Sequence, residues 1–183
     1  MAALAVEEAL HWASIRHAGF GQTYGAGPYS DHLHAVISRL VDLDVEDPLV
    51  LVSAALHDTV EDGVASLDHV RERFGDRVAK VVDLLTKYEG QFRREPWERI
   101  ARAFEGDDPA VARAALLVKL ADRASNIDAC WRTRNPKLFM YHAEHKAFSR
   151  TLFGLLSEPA VVSMEMDIER MLGLPLRWPE SRG

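Results

Sequence analysis

Apolar positions recur at helical spacing along almost the whole chain. Leu4, Leu10, Trp12 and Ile15, with alanines between them, predict a helix over 4–18. Gly19, Gly21, Gly25, Gly27 and Pro28 then make a loop. Leu33, Val36, Ile37, Leu40 and Val41 give the i, i+3, i+4, i+7, i+8 stripe of a core-facing helix, with Ser30 or Asp31 as its N-cap. Residues 42–47 form an acidic connector, and Pro48 suits the first turn of the next helix. That helix is apolar on every side, which predicts burial, and Gly63 ends it. Ser66 caps a short helix through Phe74, and Asp76 caps another whose stripe is Val78, Val81, Val82 and Leu85. A basic loop carrying Arg93 and Arg94 leads to a helix from Pro96 to about Phe104. Asp107-Asp108-Pro109 is a turn-then-cap signal for a helix reaching Asp128, and Asn135-Pro136 starts a long one to about Leu156. A last helix falls within 157–173, stopped by Pro175 and Pro179. No segment reads as a strand; Leu49–Leu56 is the rival, and its alanines and length favour helix. The pattern therefore predicts an all-α, compact single-domain helical bundle over 1–183.

Polar groups interrupt this pattern most sharply at the end of the helix opened by Pro48. Leu51 to Leu56 is followed by His57, Asp58, Glu61 and Asp62. If the helix reaches Asp62, His57 stacks on Glu61 and Asp58 on Asp62, within an arc of about 140°. Buried carboxylates beside an imidazole need a positive partner, and a divalent metal supplies one. A second such patch lies at Lys119 to Asn126. There Asp122 and Asn126 share a face, with Lys119 and Arg123 as a basic row beside them. His32 and His34 cannot point the same way, so at most one joins a shared site. His142 and His145 lack acidic or cysteine partners at ligand spacing.

Composition narrows the classes further. The chain has 183 residues, a net charge of −6 and a single cysteine, Cys130. One cysteine excludes an internal disulfide and a cysteine-rich zinc site. The acidic balance argues against nucleic acid as a partner. No apolar run approaches a membrane span of about 20 residues, and Met1 to Leu10 has no basic leader. The expected location is the cytoplasm, with no membrane partner; a homo-oligomer is left open. The glycine-rich loop lacks the Gly-Lys-Ser/Thr of a P-loop.

The order Tyr29-Ser30-Asp31-His32, then Ala54 to Asp62, then Phe74 to Ala79, Leu84-Leu85-Thr86-Lys87 and Lys119-Leu120-Ala121-Asp122-Arg123-Ala124-Ser125-Asn126 resembles the HD-domain superfamily of metal-dependent phosphohydrolases. It looks most like the hydrolase domain of the RelA/SpoT alarmone enzymes, in a small hydrolase-only form. The likeness runs from about Leu10 to Asp128, with 134–171 as C-terminal helices. It implies an HD-type all-α fold and a metal, usually manganese, held by His32, His57, Asp58 and Asp122. It also implies Glu61 and Asp62 as the water-activating and orienting carboxylates, and nucleotide contacts from Asn126 and Arg16. Lys87 and Lys119 are candidate partners for the anionic substrate. The implied reaction removes pyrophosphate from the 3′ position of (p)ppGpp, without alarmone synthesis. Two departures keep another nucleotide or phosphate ester open as substrate: Ile127-Asp128 replaces the usual Met-Arg, and the spacing between His17 and Tyr29 is altered.

Overall fold

A computed structural model describes residues 2–173. Helices α1 (Ala2–Gly19), α2 (Ser30–Val41), α3 (Pro48–Leu56), α4 (Leu67–Phe74) and α5 (Asp76–Leu85) precede α6 (Glu95–Ala103), α7 (Pro109–Thr133), α8 (Lys137–Leu152) and α9 (Pro159–Met171). The all-α expectation holds, apart from one short hairpin. The expected stop at Pro175 and Pro179 lies outside the described residues.

Helix α7 is the axis. Pro109 sits in its first turn, and the Asp108 carboxylate accepts the Val111 N–H, satisfying one of the donors a helix start leaves free. No glycine or proline interrupts the next 24 positions, so the helix runs five residues past Asp128, to Thr133. Leu116, Leu117, Val118 and Leu120 are fully buried on successive faces. They can be, because α2, α3, α5, α6, α8 and α9 all pack against this one rod. Each such leucine contributes about 1.5–3 kcal/mol. A second core cluster joins α1 to α3, where the small Ala9 and Ala13 pack with Val52, Ala55 and Leu56.

Local differences from the sequence reading have identifiable causes. The Gly19–Pro28 loop contains the antiparallel pair β1 (Thr23–Tyr24) and β2 (Gly27–Pro28), with Tyr24 opposite Gly27. Gly25 at φ 61° supplies the backbone that a two-residue turn requires. A Cβ on Gly27 would meet the Asp31 carboxylate, so that position accepts only glycine without a shift. Neither Ser30 nor Asp31 caps α2, because Tyr29 before it is already in helical conformation. Asp76 does not cap α5 either: Gly75 occupies the cap position, and the Asp76 carboxylate pairs with Lys80 one turn on. Ser66 does cap α4, accepting the His69 N–H.

At the α8–α9 corner, Glu165 accepts the Gly154 N–H at 2.9 Å. Burial pushes its carboxyl up to about 7, with nearby Glu169 adding to the rise. The folded pKa lies above the unfolded value. The protein therefore loses stability as pH rises from the unfolded pKa through 7. Glu165→Gln, which stays neutral, is expected to stabilise the chain by about 1–3 kcal/mol at pH 8 and to change little near pH 4. Urea unfolding at the two pH values checks this; an equal shift at both would contradict it.

Candidate active site

Four side chains from two helices and a turn converge between α2, α3 and α7. His32 comes from the first turn of α2, where Leu33 and Val36 anchor the helix in the core. His57 and Asp58 follow the last residue of α3, and Asp122 lies midway along α7. The His32 and His57 Nε2 atoms are 3.2 Å apart. Asp58 Oδ2 lies 2.9 Å from His57 Nε2 and 3.5 Å from His32 Nε2. Asp122 Oδ1 lies 3.3 Å from His32 Nε2 and 3.7 Å from His57 Nε2. His32, His57 and Asp58 can each offer one ligand atom within 4.8 Å of the others.

The donor set fits a divalent cation. The His57 Nδ1–H donates to the Ala54 carbonyl at 2.7 Å, which assigns its lone pair to Nε2, at the point of convergence. Burial alone would lower both imidazole pKa values. The carboxylates outweigh it: Asp122 and Asp58 raise His32, and Asp58 with Asp122 raises His57 well above the ordinary range. Burial would raise both carboxyls, but His57 and His32 hold Asp58 down, while Lys119 and His32 hold Asp122 well below the usual range. Two carboxylates gathered beside two imidazoles call for positive charge at this point, which a divalent cation would supply.

The turn after α3 is where sequence and structure part. Regular helix ends at Leu56, so the stacked arc expected through Asp62 does not form. One i to i−4 bond survives, from the Asp62 N–H to the Asp58 carbonyl, while Thr59 ties its hydroxyl to Leu56 and its carbonyl to Val64 and Ala65. Glu61 and Asp62 consequently diverge. Glu61 is exposed and accepts the Lys87 backbone N–H at 2.9 Å. Asp62 turns toward α1, with its carboxylate 3.5 Å from Nδ1 of the buried His17. Burial, then the charge of Asp58, pushes Asp62 up to about 6, and burial drives His17 down to about 4.

The other sequence candidates divide. Lys119 Nζ pairs with Asp122 at 3.1 Å, and Asn126 donates to the other Asp122 oxygen at 2.5 Å. Lys87 and Glu61 line a small pocket with Lys119, Asp122, Arg93 and Arg123. Arg16 is not drawn into this group: its guanidinium lies 4.2 Å over Trp12 and donates to the Val64 carbonyl. His34 is exposed, away from the cluster.

Two tyrosines complete the site without having been singled out from sequence. The Tyr29 hydroxyl donates to Asp58 at 2.5 Å, and its ring stacks on His17 at 4.1 Å. Tyr24, on the hairpin, stacks on His32 at 4.7 Å and donates to Asn126 Oδ1 at 3.0 Å. Tyr29 stands one helical turn before His32, a spacing that could have marked it. Tyr24 becomes legible only once the turn at Gly25 is recognised. Tyr24 also borders a second cavity of about 480 Å³, lined by Ser38, Arg39, Asp42, Ser125, Asp128 and Arg132 among others. The ion cluster thus meets a small basic pocket on the Asp122–Glu61 side and a larger mixed-charge cavity on the Tyr24 side.

Comparison with known proteins identifies the family. Residues 9–147 match the model of the HD domain. The chain is 32% identical over 135 residues to a guanosine-3′,5′-bis(diphosphate) 3′-pyrophosphohydrolase of Aquifex aeolicus, covering 72% of this chain and 18% of the relative. It is 34% identical over 115 residues to the bifunctional (p)ppGpp synthase/hydrolase SpoT of Escherichia coli, covering 61% and 16%. It is 36% identical over 126 residues to a GTP pyrophosphokinase of Streptomyces coelicolor, covering 67% and 14%. The chain therefore spans less than a fifth of the length of these curated relatives. A solved structure of a metazoan ortholog of SpoT that hydrolyses ppGpp superposes with a TM-score of 0.69 at 25% identity, over 93% of this chain and 97% of that one. With most of its length, residues 9–147, matched by the family model, the chain belongs to the HD domain family.

Proposed function

We propose that the protein is a metal-dependent hydrolase that removes pyrophosphate from the 3′ position of (p)ppGpp, working on this nucleotide in the cytoplasm. The observation that carries the reading is the asymmetry around the ion cluster. A pocket with four cations, Lys87, Arg93, Lys119 and Arg123, suits a pyrophosphoryl group, and the larger cavity beyond Tyr24 suits a nucleoside. The names borne by the Aquifex and metazoan relatives support the same substrate.

His32, His57, Asp58 and Asp122 would hold the ion; their mixed nitrogen and oxygen donors suit manganese. When bound, the ion would polarise a phosphoryl oxygen and lower the pKa of water. Glu61, which accepts the Lys87 N–H, would take the proton from the attacking water. Asp62 orients that water, backed by His17. Water oxygen bonds to phosphorus, the bond from phosphorus to the ribose 3′-oxygen breaks, and that oxygen takes up a proton. Pyrophosphate and GDP or GTP leave. Asn126, fixed between Tyr24 and Asp122, contacts the nucleoside end. Arg16 reaches it only by giving up the Val64 carbonyl.

Manganese-loaded protein incubated with ppGpp is expected to yield GDP and pyrophosphate on anion-exchange chromatography. A second reading keeps the same chemistry with another nucleotide or phosphate ester. Its support is Asp128, an acid on the wall of the larger cavity, paired with Arg132 at 2.9 Å. Untouched ppGpp with turnover of a nucleoside monophosphate would select it.

A further inference from the structure

Two arginines that line the basic pocket, Arg93 and Arg123, come from different elements of the fold. Arg123 belongs to α7 and is buried, its guanidinium 4.1 Å from the Phe148 ring centroid and 5.1 Å from that of Tyr141. One of its nitrogens donates to the Tyr141 carbonyl at 2.9 Å. Burial lowers its pKa to about 10, so it stays charged at neutral pH. Arg93 belongs to the loop between α5 and α6 and is half exposed. The base of that loop is fastened elsewhere: Arg99 donates to the Asp83 and Thr86 carbonyls and to Gln91, and Glu95 accepts the Phe92 N–H. None of those bonds fixes the Arg93 side chain.

Glu144 of α8 does. Its Oε1 accepts from Arg93 Nε at 2.7 Å, and its Oε2 faces Arg123 Nη1 at 3.8 Å. One carboxylate therefore stands between two arginines that line the same pocket. Held apart from a counter-charge, the two guanidinium groups would repel each other, and Arg93, on an exposed loop, would swing into water. The partly exposed Arg93–Glu144 pair adds little to the fold, so stability is not its main consequence. Its larger effect is geometric.

We propose that Glu144 is a positioning residue of the anion pocket: it holds Arg93 beside Arg123 so that both guanidinium groups engage the pyrophosphoryl end of the substrate. The inference rests on the function proposed above for its substrate, and it brings α8 into the site. Glu144 itself does not touch the substrate. Because the same contacts serve the bound substrate and its transition state, their loss should raise KM and leave kcat nearly unchanged.

The test uses the full chain loaded with manganese, with inorganic pyrophosphate and GDP as separate calorimetric probes and bound manganese counted before and after titration. Glu144→Ala is expected to weaken pyrophosphate on the order of tenfold, the loss of one charge-assisted hydrogen bond to phosphate, with GDP affinity unchanged. Arg93→Ala, on the exposed loop, keeps the fold and should show the same loss. The double variant should be no weaker than either single one, because both remove the same contact. KM for ppGpp should rise in parallel. Wild-type pyrophosphate affinity in both single variants would overturn the proposal, as would equal weakening of GDP and pyrophosphate together with a lowered melting temperature. So would a wild-type protein that does not bind pyrophosphate. Glu144-dependent pyrophosphate binding without ppGpp cleavage would sustain the proposal and reject the substrate reading.

Discussion

Asp122→Asn is expected to empty the ion site and abolish turnover. Four groups meet this carboxylate: His32 and His57 at 3.3 and 3.7 Å, Lys119 at 3.1 Å, and the Asn126 amide. Asparagine is nearly isosteric, but it is neutral, and one oxygen becomes a donor facing donors. Altering a group that merely supports a ligand costs about 10–100-fold in metal affinity, so removing a charged ligand should cost at least that. The effect on stability is separate and opposite in dependence. Without metal, breaking a buried charge pair destabilises by about 3–5 kcal/mol. With metal, wild-type protein gains about 2.7 kcal/mol when free manganese is 100 times its dissociation constant, and the variant should gain almost nothing. Thermal unfolding with and without manganese, beside a count of bound metal and ppGpp turnover, reads all three. A variant that binds one metal and keeps its rate would remove Asp122 from the ligand set.

How much of this was legible in the sequence depends on whether a residue is placed by local or by distant chain. His32 was legible because the stripe Leu33, Val36, Leu40 fixes which face of α2 is buried, and His32 lies on it while His34 does not. Asp122 and Asn126 were legible because 3.6 residues per turn puts them on one side of an uninterrupted helix. The divergence of Glu61 and Asp62 was not, since the end of α3 is set by Thr59 closing a turn on Leu56 and by what each carboxylate meets afterwards: Lys87 from 26 positions on and the imidazole of His17 from α1. Arg16 marks the same limit. The family resemblance implied a nucleotide contact there, whereas Trp12, one turn behind it, offers a ring to stack on. Glu144 has no signal in sequence at all, because nothing local to α8 tells which loop it faces.

Glu61→Gln should separate proton transfer from metal binding. Among the described residues Glu61 pairs with neither imidazole of the cluster; it accepts the Lys87 N–H, which a glutamine oxygen can accept equally well. The side chain keeps its place, the neighbouring Asp122 and Lys119 keep their pairing, and only the ability to take a proton is lost. General-base catalysis contributes about 10²–10⁴-fold, so kcat for ppGpp is expected to fall by that factor with bound manganese and KM nearly constant. Asp62→Asn is the informative comparison. Asp62 sits beside the neutral His17, and burial raises its pKa to about 6, so near pH 5 it is mostly protonated and near pH 8 ionised. If Asp62 only orients the water, its asparagine variant should lose less than the Glu61 variant at pH 8, and its own deficit relative to wild type should shrink at pH 5, where the wild-type carboxyl is itself neutral. The reverse ranking, with Asp62→Asn the slower enzyme and Glu61→Gln close to wild type, would exchange the two roles. It would make the buried His17–Asp62 pair the proton acceptor and leave Glu61 as the group that holds the Lys87 loop in place.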